Sequence, residues 1–322
     1  MVALEVVQAS NAKVAKTLAS GFVAVFLGAT QGIGQATLQH FVKNAPPSSR
    51  IYTVARPSSL AAHETFVASL RQEKPDSNIE IIEADVSLIS EIDKIAQVVK
   101  KQETKVDLLV MTAGFIAFEG RKNTREGLDP SMTTRYYSRL RAVQLLLPLL
   151  NNAPAPRIFS VLAAGMEGQL IEDDFDLRGE GKWTVWGSSV QSTTMQTLSL
   201  ERFARLNPEV SIIHWLPGPV QTALLDRAKA SGMDTGPYTM PVDESGARGL
   251  FYATSDRYAV KNGLVPVPEG LEAAKTSGGG IFLLDPQGEV TDNEKVLAPQ
   301  REKGIQEVLW KFTEEIYAAA TA

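Results

Sequence analysis

The run FVAVFL at 22–27, followed at once by GATQGIGQAT, constrains the fold more than any other stretch of this chain. An unbroken apolar, β-branched and aromatic run reads as a strand buried on both faces, the pattern of a parallel sheet covered by helices. Gly28, Gly32 and Gly34 then set a tight turn, and QATLQHFVKN at 35–44 carries helical spacing. The same alternation repeats down the chain. Strand-like runs lie at 50–56, 79–86, 106–114, 156–165 and 210–220, with a late strand and turn at 278–290. Helical patterns lie among them at 60–74, 89–102, 133–150 and 185–206. Regular alternation predicts an α/β fold of the Rossmann type, a doubly wound parallel sheet. No repeat, low-complexity tract or linker divides the chain. The reading is a helical extension over 1–20 and one domain over 21–322, in which 223–280 holds a substrate lid and insertions.

Composition narrows the function classes. A chain of 322 residues, 44% hydrophobic and 21% charged, can bury a large core without covalent staples. A net charge of −5, from 32 basic and 37 acidic residues, weighs against nucleic acid or an anionic membrane as a partner. With no cysteine and three histidines, disulfide and thiolate chemistry are excluded and no metal site is expected. The first twenty residues carry Glu5 and lack a basic segment before an apolar run, so they show no targeting signal. The expected compartment is the cytoplasm.

The glycine turn points to a nucleotide. Glycines directly after a buried strand let the backbone approach a pyrophosphate, and the helix that follows offers unpaired N–H groups and a positive dipole end. The second strand ends in Arg56 with no acid beside it. An acid there would hold the ribose hydroxyls of NAD, whereas arginine suits the 2′-phosphate of NADP. NADP(H) is therefore expected ahead of NAD(H).

With these motifs the chain resembles the short-chain dehydrogenase/reductase family over roughly residues 20–290, and within it the divergent fungal branch associated with secondary metabolism. The resemblance implies that Gly28, Thr30, Gln31, Gly32, Ile33 and Gly34 form the cofactor turn and that Asp85 and Val86 contact the adenine. It places Ala113 and Gly114, after Thr112 where the family has asparagine, in the next cofactor segment. Pro217, Gly218, Val220 and Thr222 then fall near the nicotinamide. It also implies self-association through the helix carrying MQTLSLERFARL (195–206), while the extension and insertions leave a monomer open.

The catalytic positions depart from the family together. Its serine, tyrosine and lysine fall at Leu162, Trp186 and Val190, and its further asparagine falls near Arg135 or Ser138. Residues 186 and 190 share one helix face. An indole has no proton to exchange at neutral pH, and valine has no charge. A missing general acid costs about 10²–10⁴ in rate. Candidate replacements are Tyr136 or Tyr137 as an acid, Ser160 on the fifth strand, Trp186 as a pocket wall, and Ser188 with Ser189 on the pocket helix. Glu167, Asp173 or Asp174 could supply a base, and Lys182 a cation. Each has a plainer reading as packing, a cap or solvated surface. His214, in a buried strand, reads as a satisfied core histidine. Trp183, Trp186 and Trp215 suggest a pocket for a flat or polycyclic small molecule.

Three readings stay open at this point. One is a non-classical NADPH-dependent reductase of natural-product biosynthesis. Another is a non-redox isomerase, cyclase or pericyclic catalyst. The third is a cofactor sensor without chemistry.

Overall fold

The computed structural model describes residues 2–321. Seven strands form one parallel sheet: β1 Val23–Leu27, β2 Arg50–Ala55, β3 Asn78–Glu83, β4 Leu108–Met111, β5 Arg157–Val161, β6 Ser211–Trp215 and β7 Phe282–Leu284. Their spatial order is β3-β2-β1-β4-β5-β6-β7. Every residue of β1, β4, β5, β6 and β7 is buried, which is why β1, β4 and β7 read as continuous apolar runs. Val25 sits beside Tyr52 on one side and Leu109 on the other, so strand order reverses at β1 and β4. In open α/β sheets that switch point, at the carboxyl ends of the strands, is where ligands bind.

Helices cover both faces. On one face α3 (Gly32–Asn44), α4 (Leu60–Glu73) and α10 (Val242–Thr254) pack around Phe26, Phe41 and Phe251. On the other, α5 (Ile89–Gln102), α7 (Ser138–Leu150) and α8 (Val185–Leu206) pack around Val25, Val143 and Leu198. Helices α3 and α10 approach unusually closely. A Cβ at Gly246 would sit 2.6 Å from the Ala36 carbonyl carbon, and one at Gly249 would sit 2.5 Å from Thr37 Oγ1.

Three regions differ from the sequence expectation. The N-terminal extension is broken into α1 (Leu4–Asn11) and α2 (Val14–Thr17), and it docks on α10. Asn11 Nδ2 donates to the Ala247 carbonyl at 2.8 Å, and Arg248 Nη1 donates to the Val2 carbonyl at 3.0 Å. Within 223–280, α10 lies in the middle as a core helix. On its N-terminal side α9 (Ala223–Ala230) and the loop to Met240 are largely exposed, tied down where Met240 N–H donates to the Pro219 carbonyl at 2.8 Å. The 263–280 segment packs beside the end of α10, where Val265 bridges Ser255 and Ala274 N–H donates to the Arg257 carbonyl at 2.7 Å.

The C-terminus adds α11 (Glu294–Glu302) and α12 (Ile305–Ala320), which the reading of the sequence missed. Helix α12 buries Leu309, Trp310, Thr313 and Tyr317, a helical stripe laid against α8 and α5. It covers part of the 195–206 stretch: Trp310 meets Phe203 edge-on at 5.0 Å and lies under the Arg202 guanidinium at 5.1 Å. No helix of the described residues is long and apolar enough to cross a membrane. Truncating Trp310→Ala removes a large side chain that is 6% exposed. The expected cost is about 3–5 kcal/mol, read from the urea midpoint. A loss below about 1 kcal/mol would mean that α12 is not part of the folded core.

Candidate active site

The glycine turn is built by close approach. Gly28 follows β1 with φ 105°, and a Cβ there would fall 2.2 Å from Ala113 N, at the exit of β4. Gly34 lies in the first turn of α3, and a Cβ would meet Thr112 Oγ1 at 2.2 Å and the Gly28 carbonyl oxygen at 2.4 Å. Thr112 Oγ1 donates to that carbonyl at 3.0 Å, so the threonine in the family's asparagine position ties β4 to the turn. Gly32 opens α3 with φ 60° and faces Thr222, whose Cγ2 would lie 3.2 Å from a Cβ. Gln31 precedes the helix without a side-chain cap, leaving its first N–H groups directed outward.

The structure therefore brings Gly28, Gly32, Gly34, Thr112, Ala113 and Thr222 together around one helix N-terminus. Thr30, Ile33, Gly218 and Pro217 are part-exposed and Gln31 is exposed on the turns of the same strand ends. Val220 is buried. Asp85 Oδ1 accepts the Ser87 N–H at 2.9 Å after β3, and the Val86 carbonyl accepts from Ser138 Oγ. Arg56 is exposed at the end of β2, and its Nε lies 3.4 Å from Ser59 Oγ.

The neighbouring half of the site rests on two buried arginines. Residues 133–137 form a π turn between the short helix α6 (Pro130–Met132) and α7. Such bulges are frequent at functional sites because they re-aim side chains. From this turn Arg135 donates to Ser131 O at 3.1 Å, Ser131 Oγ at 3.3 Å, Ser188 Oγ at 3.2 Å and Ser189 Oγ at 2.7 Å. One turn on, Arg139 donates to Thr134 O, Ser160 Oγ, Val161 O, Gln196 Oε1 and Ala113 O, at 2.6–3.3 Å. All of these acceptors are neutral. Burial pulls Arg135 down to about 10 and Arg139 to about 9, the latter also through repulsion from Arg135. Both remain cations at neutral pH. Gly114, exposed, lies directly above them: a Cβ there would be 3.3 Å from Arg135 Cγ and 3.5 Å from Arg139 Nη2.

Arg139 also anchors a polar chain through the core. Gln196, which accepts from Arg139, faces His214 Nε2 with its amide nitrogen at 3.2 Å. That ring nitrogen also accepts the Ala163 N–H at 3.3 Å, so the proton belongs on Nδ1, facing Thr197 Oγ1 at 3.0 Å. Thr197 donates onward to Glu167 Oε1 at 2.7 Å, and Asn293 Nδ2 donates to Glu167 Oε2 at 3.2 Å. His214 is thus a satisfied core histidine, and Glu167 is a buried loop carboxylate joined to it through Thr197.

Several candidates named from sequence lie away from the cleft. Tyr136 is fully buried, its hydroxyl between Ser199 Oγ at 3.0 Å and Thr313 Oγ1 at 2.7 Å; burial raises it to about 12. Tyr137 is buried with its hydroxyl on Asp176 at 3.0 Å, and burial together with that carboxylate raises it further. Neither phenol is placed to serve as the acid, because the π turn aims both at the core and Arg135 at α8. Ser160 is buried mid-strand under Arg139. Ser188 is 1% exposed and Val185 O accepts from it at 3.1 Å, which removes it from direct contact with a ligand. Trp215 is a core residue, stacked on Phe159 at 6.0 Å with its Nε1 on Asp285 O at 3.0 Å.

Trp186 is 61% exposed, so it stands at a rim and not as an enclosed wall. Val190 packs toward Gly168 on the 163–184 loop, and Trp183 lies part-buried under the Arg121 guanidinium at 5.7 Å. Asp173 and Lys182 pair with each other at 2.8 Å at the surface, and Asp174 caps the N–H groups of Arg178 and Gly179. Sequence reasoning reached Arg135 only as a neighbour of the family's asparagine position and did not single out Arg139. The available signal was two arginines four apart on one helix, neither with an acid four residues away.

Comparison with known proteins bears on this geometry. The short chain dehydrogenase family matches over residues 22–171. The chain is 57% identical over 320 residues to the NmrA-like family domain-containing oxidoreductase notO of Aspergillus sp. (strain MF297-2), covering 99% of this chain and 96% of that one. It is 36% identical to an oxidoreductase of Emericella nidulans, across 98% of both chains. Among solved structures, a short-chain dehydrogenase from Sphingobium yanoikuyae in complex with NADPH shares the fold, with a TM-score of 0.53 at 18% identity over 78% of this chain and 89% of that one.

Burial pulls His214 from its ordinary 6.5 to about 3, with repulsion from Arg139 adding to it. The folded chain keeps the ring neutral while the unfolded chain protonates it below about 6.5. Its contribution to stability is therefore present at pH 7 and lost as pH falls from about 6.5 toward 3, by about 1.4 kcal/mol per pH unit. Glu201, raised to about 7 by burial, acts with the opposite sign over pH 4.5–7. Comparing His214→Gln with the parent chain isolates the histidine. The variant is expected to show a flatter loss of stability between pH 6.5 and 4 in urea titrations, and an unchanged slope would contradict the assignment.

Proposed function

Given that the chain belongs to the short-chain dehydrogenase/reductase family, we propose that it is an NADP(H)-dependent oxidoreductase of non-classical kind, acting on a flat or polycyclic small molecule. The observation that carries this reading is the glycine cradle. Two positions, Gly28 and Gly34, have no room for a Cβ against the β4 exit, and an uncapped helix N-terminus opens beside them. That arrangement fits a pyrophosphate: backbone N–H groups and the helix dipole favour the anion, and the absent side chains let it come close. The intact cradle is the reason to place redox chemistry ahead of a non-redox reaction on the same fold.

When bound, the cofactor supplies a hydride. This chain's residues do the remaining work. Arg56, exposed and bonded through its side chain to Ser59 Oγ, is the residue this reading assigns to the 2′-phosphate of NADP, which favours NADP(H) over NAD(H). Asp85 and Val86 border the adenine position, and Gly114 opens the floor over the arginines. Met166, Trp186, Leu224 and Tyr238 are large apolar side chains left exposed on the loops and helix ends that follow β5 and β6. Such surface suits an apolar, flat ligand. The proposed compartment is the cytoplasm.

Titration with NADPH and NADH, followed by NADPH oxidation with a diketone, a cyclic enone and a cyclic iminium, tests the reading. NADPH is expected to bind about 10–100-fold tighter than NADH, the equivalent of one charge-assisted phosphate contact, and Arg56→Glu is expected to abolish the difference. Turnover that persists unchanged after the cofactor is stripped would favour an isomerase or cyclase. Tight NADPH binding with no turnover on any substrate would favour a sensor.

A further inference from the structure

Arg135 and the start of α8 carry an arrangement that no expectation from the sequence included. Arg135 Nη1 donates to Ser189 Oγ at 2.7 Å, the shortest of its hydrogen bonds. Ser189 lies three residues after Trp186 and beside Val190, so it shares the helix face on which the family places its tyrosine and lysine. It is part-exposed, whereas its neighbour Ser188 is buried. Ser131 O and Ser188 Oγ hold the same guanidinium from two other sides, so its direction is set by the fold.

We propose that Ser189 is the hydrogen-bond donor to the oxygen of the substrate's reacting carbonyl, and that Arg135 is the positioning cation behind it. The proposal rests on the oxidoreductase reading and assigns the polar contact of that site. A cation paired with a hydroxyl is rebuilt here from different residues: guanidinium for ammonium, and an aliphatic hydroxyl for a phenol.

Three physical points support the pair. In the structure Ser189 Oγ gives its own hydrogen to the Val185 carbonyl at 3.1 Å, an i−4 helix carbonyl. The hydrogen can swing to a ligand without moving the oxygen. A hydroxyl that accepts from a cation is a stronger donor, since the two bonds polarise each other. Arg139 lies one turn further along the helix with only neutral acceptors, so the floor carries positive charge where an oxyanion would develop. The stoichiometry closes without an added reagent. The carbonyl carbon gains a hydride from the reduced nicotinamide, which is oxidised, and the oxygen gains a proton from solvent. The C=O π bond is lost, C–H and O–H bonds form, and Ser189 ends unchanged.

The probe is 9,10-phenanthrenequinone, a flat activated dicarbonyl, with NADPH as reductant. Ser189→Ala is a small change on a part-exposed helix position and keeps the fold testable if Arg135 variants do not. It is expected to lower kcat about 10²-fold and to weaken quinone binding to the NADP-loaded protein several-fold. NADPH affinity and Tm are expected to stay at the parent values. Arg135→Lys is expected to keep part of the activity and to acquire a loss at high pH as a buried ammonium deprotonates, while Arg135→Gln loses activity at every pH. A parent chain that consumes NADPH while Ser189→Ala matches its kcat overturns the pair and leaves the oxidoreductase standing. Equal losses in NADPH affinity and kcat reduce Ser189 to a structural role and also overturn it. A parent chain that binds NADPH but neither binds nor reduces the quinone counts against the pair. Failure to bind NADPH at all removes both readings.

Discussion

One buried guanidinium joins the parts of the site that come from distant stretches of sequence. Arg139, on α7, donates to Ala113 O at the exit of β4, to Ser160 Oγ and Val161 O at the end of β5, and to Gln196 on α8. A buried charge is tolerated only when its hydrogen-bonding capacity is met, and here neutral dipoles do the whole task. The same strand exit that Arg139 grips, through Ala113, is the wall that forces glycine at position 28. The cofactor cradle and the cationic floor are therefore parts of one packed arrangement and not two independent features of the fold.

That linkage keeps the strand ends organised with leucine at 162, tryptophan at 186 and valine at 190. The scaffold half depends on glycines, Thr112 and the α3 N-terminus. The polar half lies between the π turn and the start of α8. Arginine from the π turn now supplies charge at the base of α8, and a serine on α8 meets it. Valine at 190 is tolerated because it packs toward Gly168, where the loop backbone comes close, and needs no polar partner. Helix α12 buttresses this side from outside: Thr313 Oγ1 holds the Tyr136 hydroxyl, and Tyr317 Oη donates to the Tyr137 carbonyl at 2.8 Å. It thereby fixes the π turn that aims Arg135.

Much of the fold was legible because both sheet faces are covered, so five of the strands are buried at every residue, and β1, β4 and β7 are apolar throughout and stand out as runs. The glycine turn was legible for a related reason: a missing side chain between strand and helix has few other causes. The polar half was not. The family's asparagine position pointed to Arg135, Tyr136 and Tyr137 alike, and sequence could not show that a π turn aims both phenols at the core and Arg135 at α8. Strand alternation put Ser160 on the same face as Leu162, but could not show that Arg139 already occupies that face. Trp215 read as a pocket aromatic, since nothing in one strand reveals that Phe159 on the next strand stacks on it. Helix α12 was readable from the spacing of Leu309, Trp310, Thr313 and Tyr317. It was overlooked because it lies beyond the stretch that the family motifs cover.

The most direct measurement is a crystal structure of the chain grown with NADPH. The account requires the pyrophosphate against the N-terminus of α3, beside Gly28 and Gly34, and the nicotinamide over the opening between Gly114 and Ser189, with Arg135 still bonded to that serine. A structure with the cradle empty at saturating cofactor, or with the nicotinamide turned away from the start of α8, would contradict it.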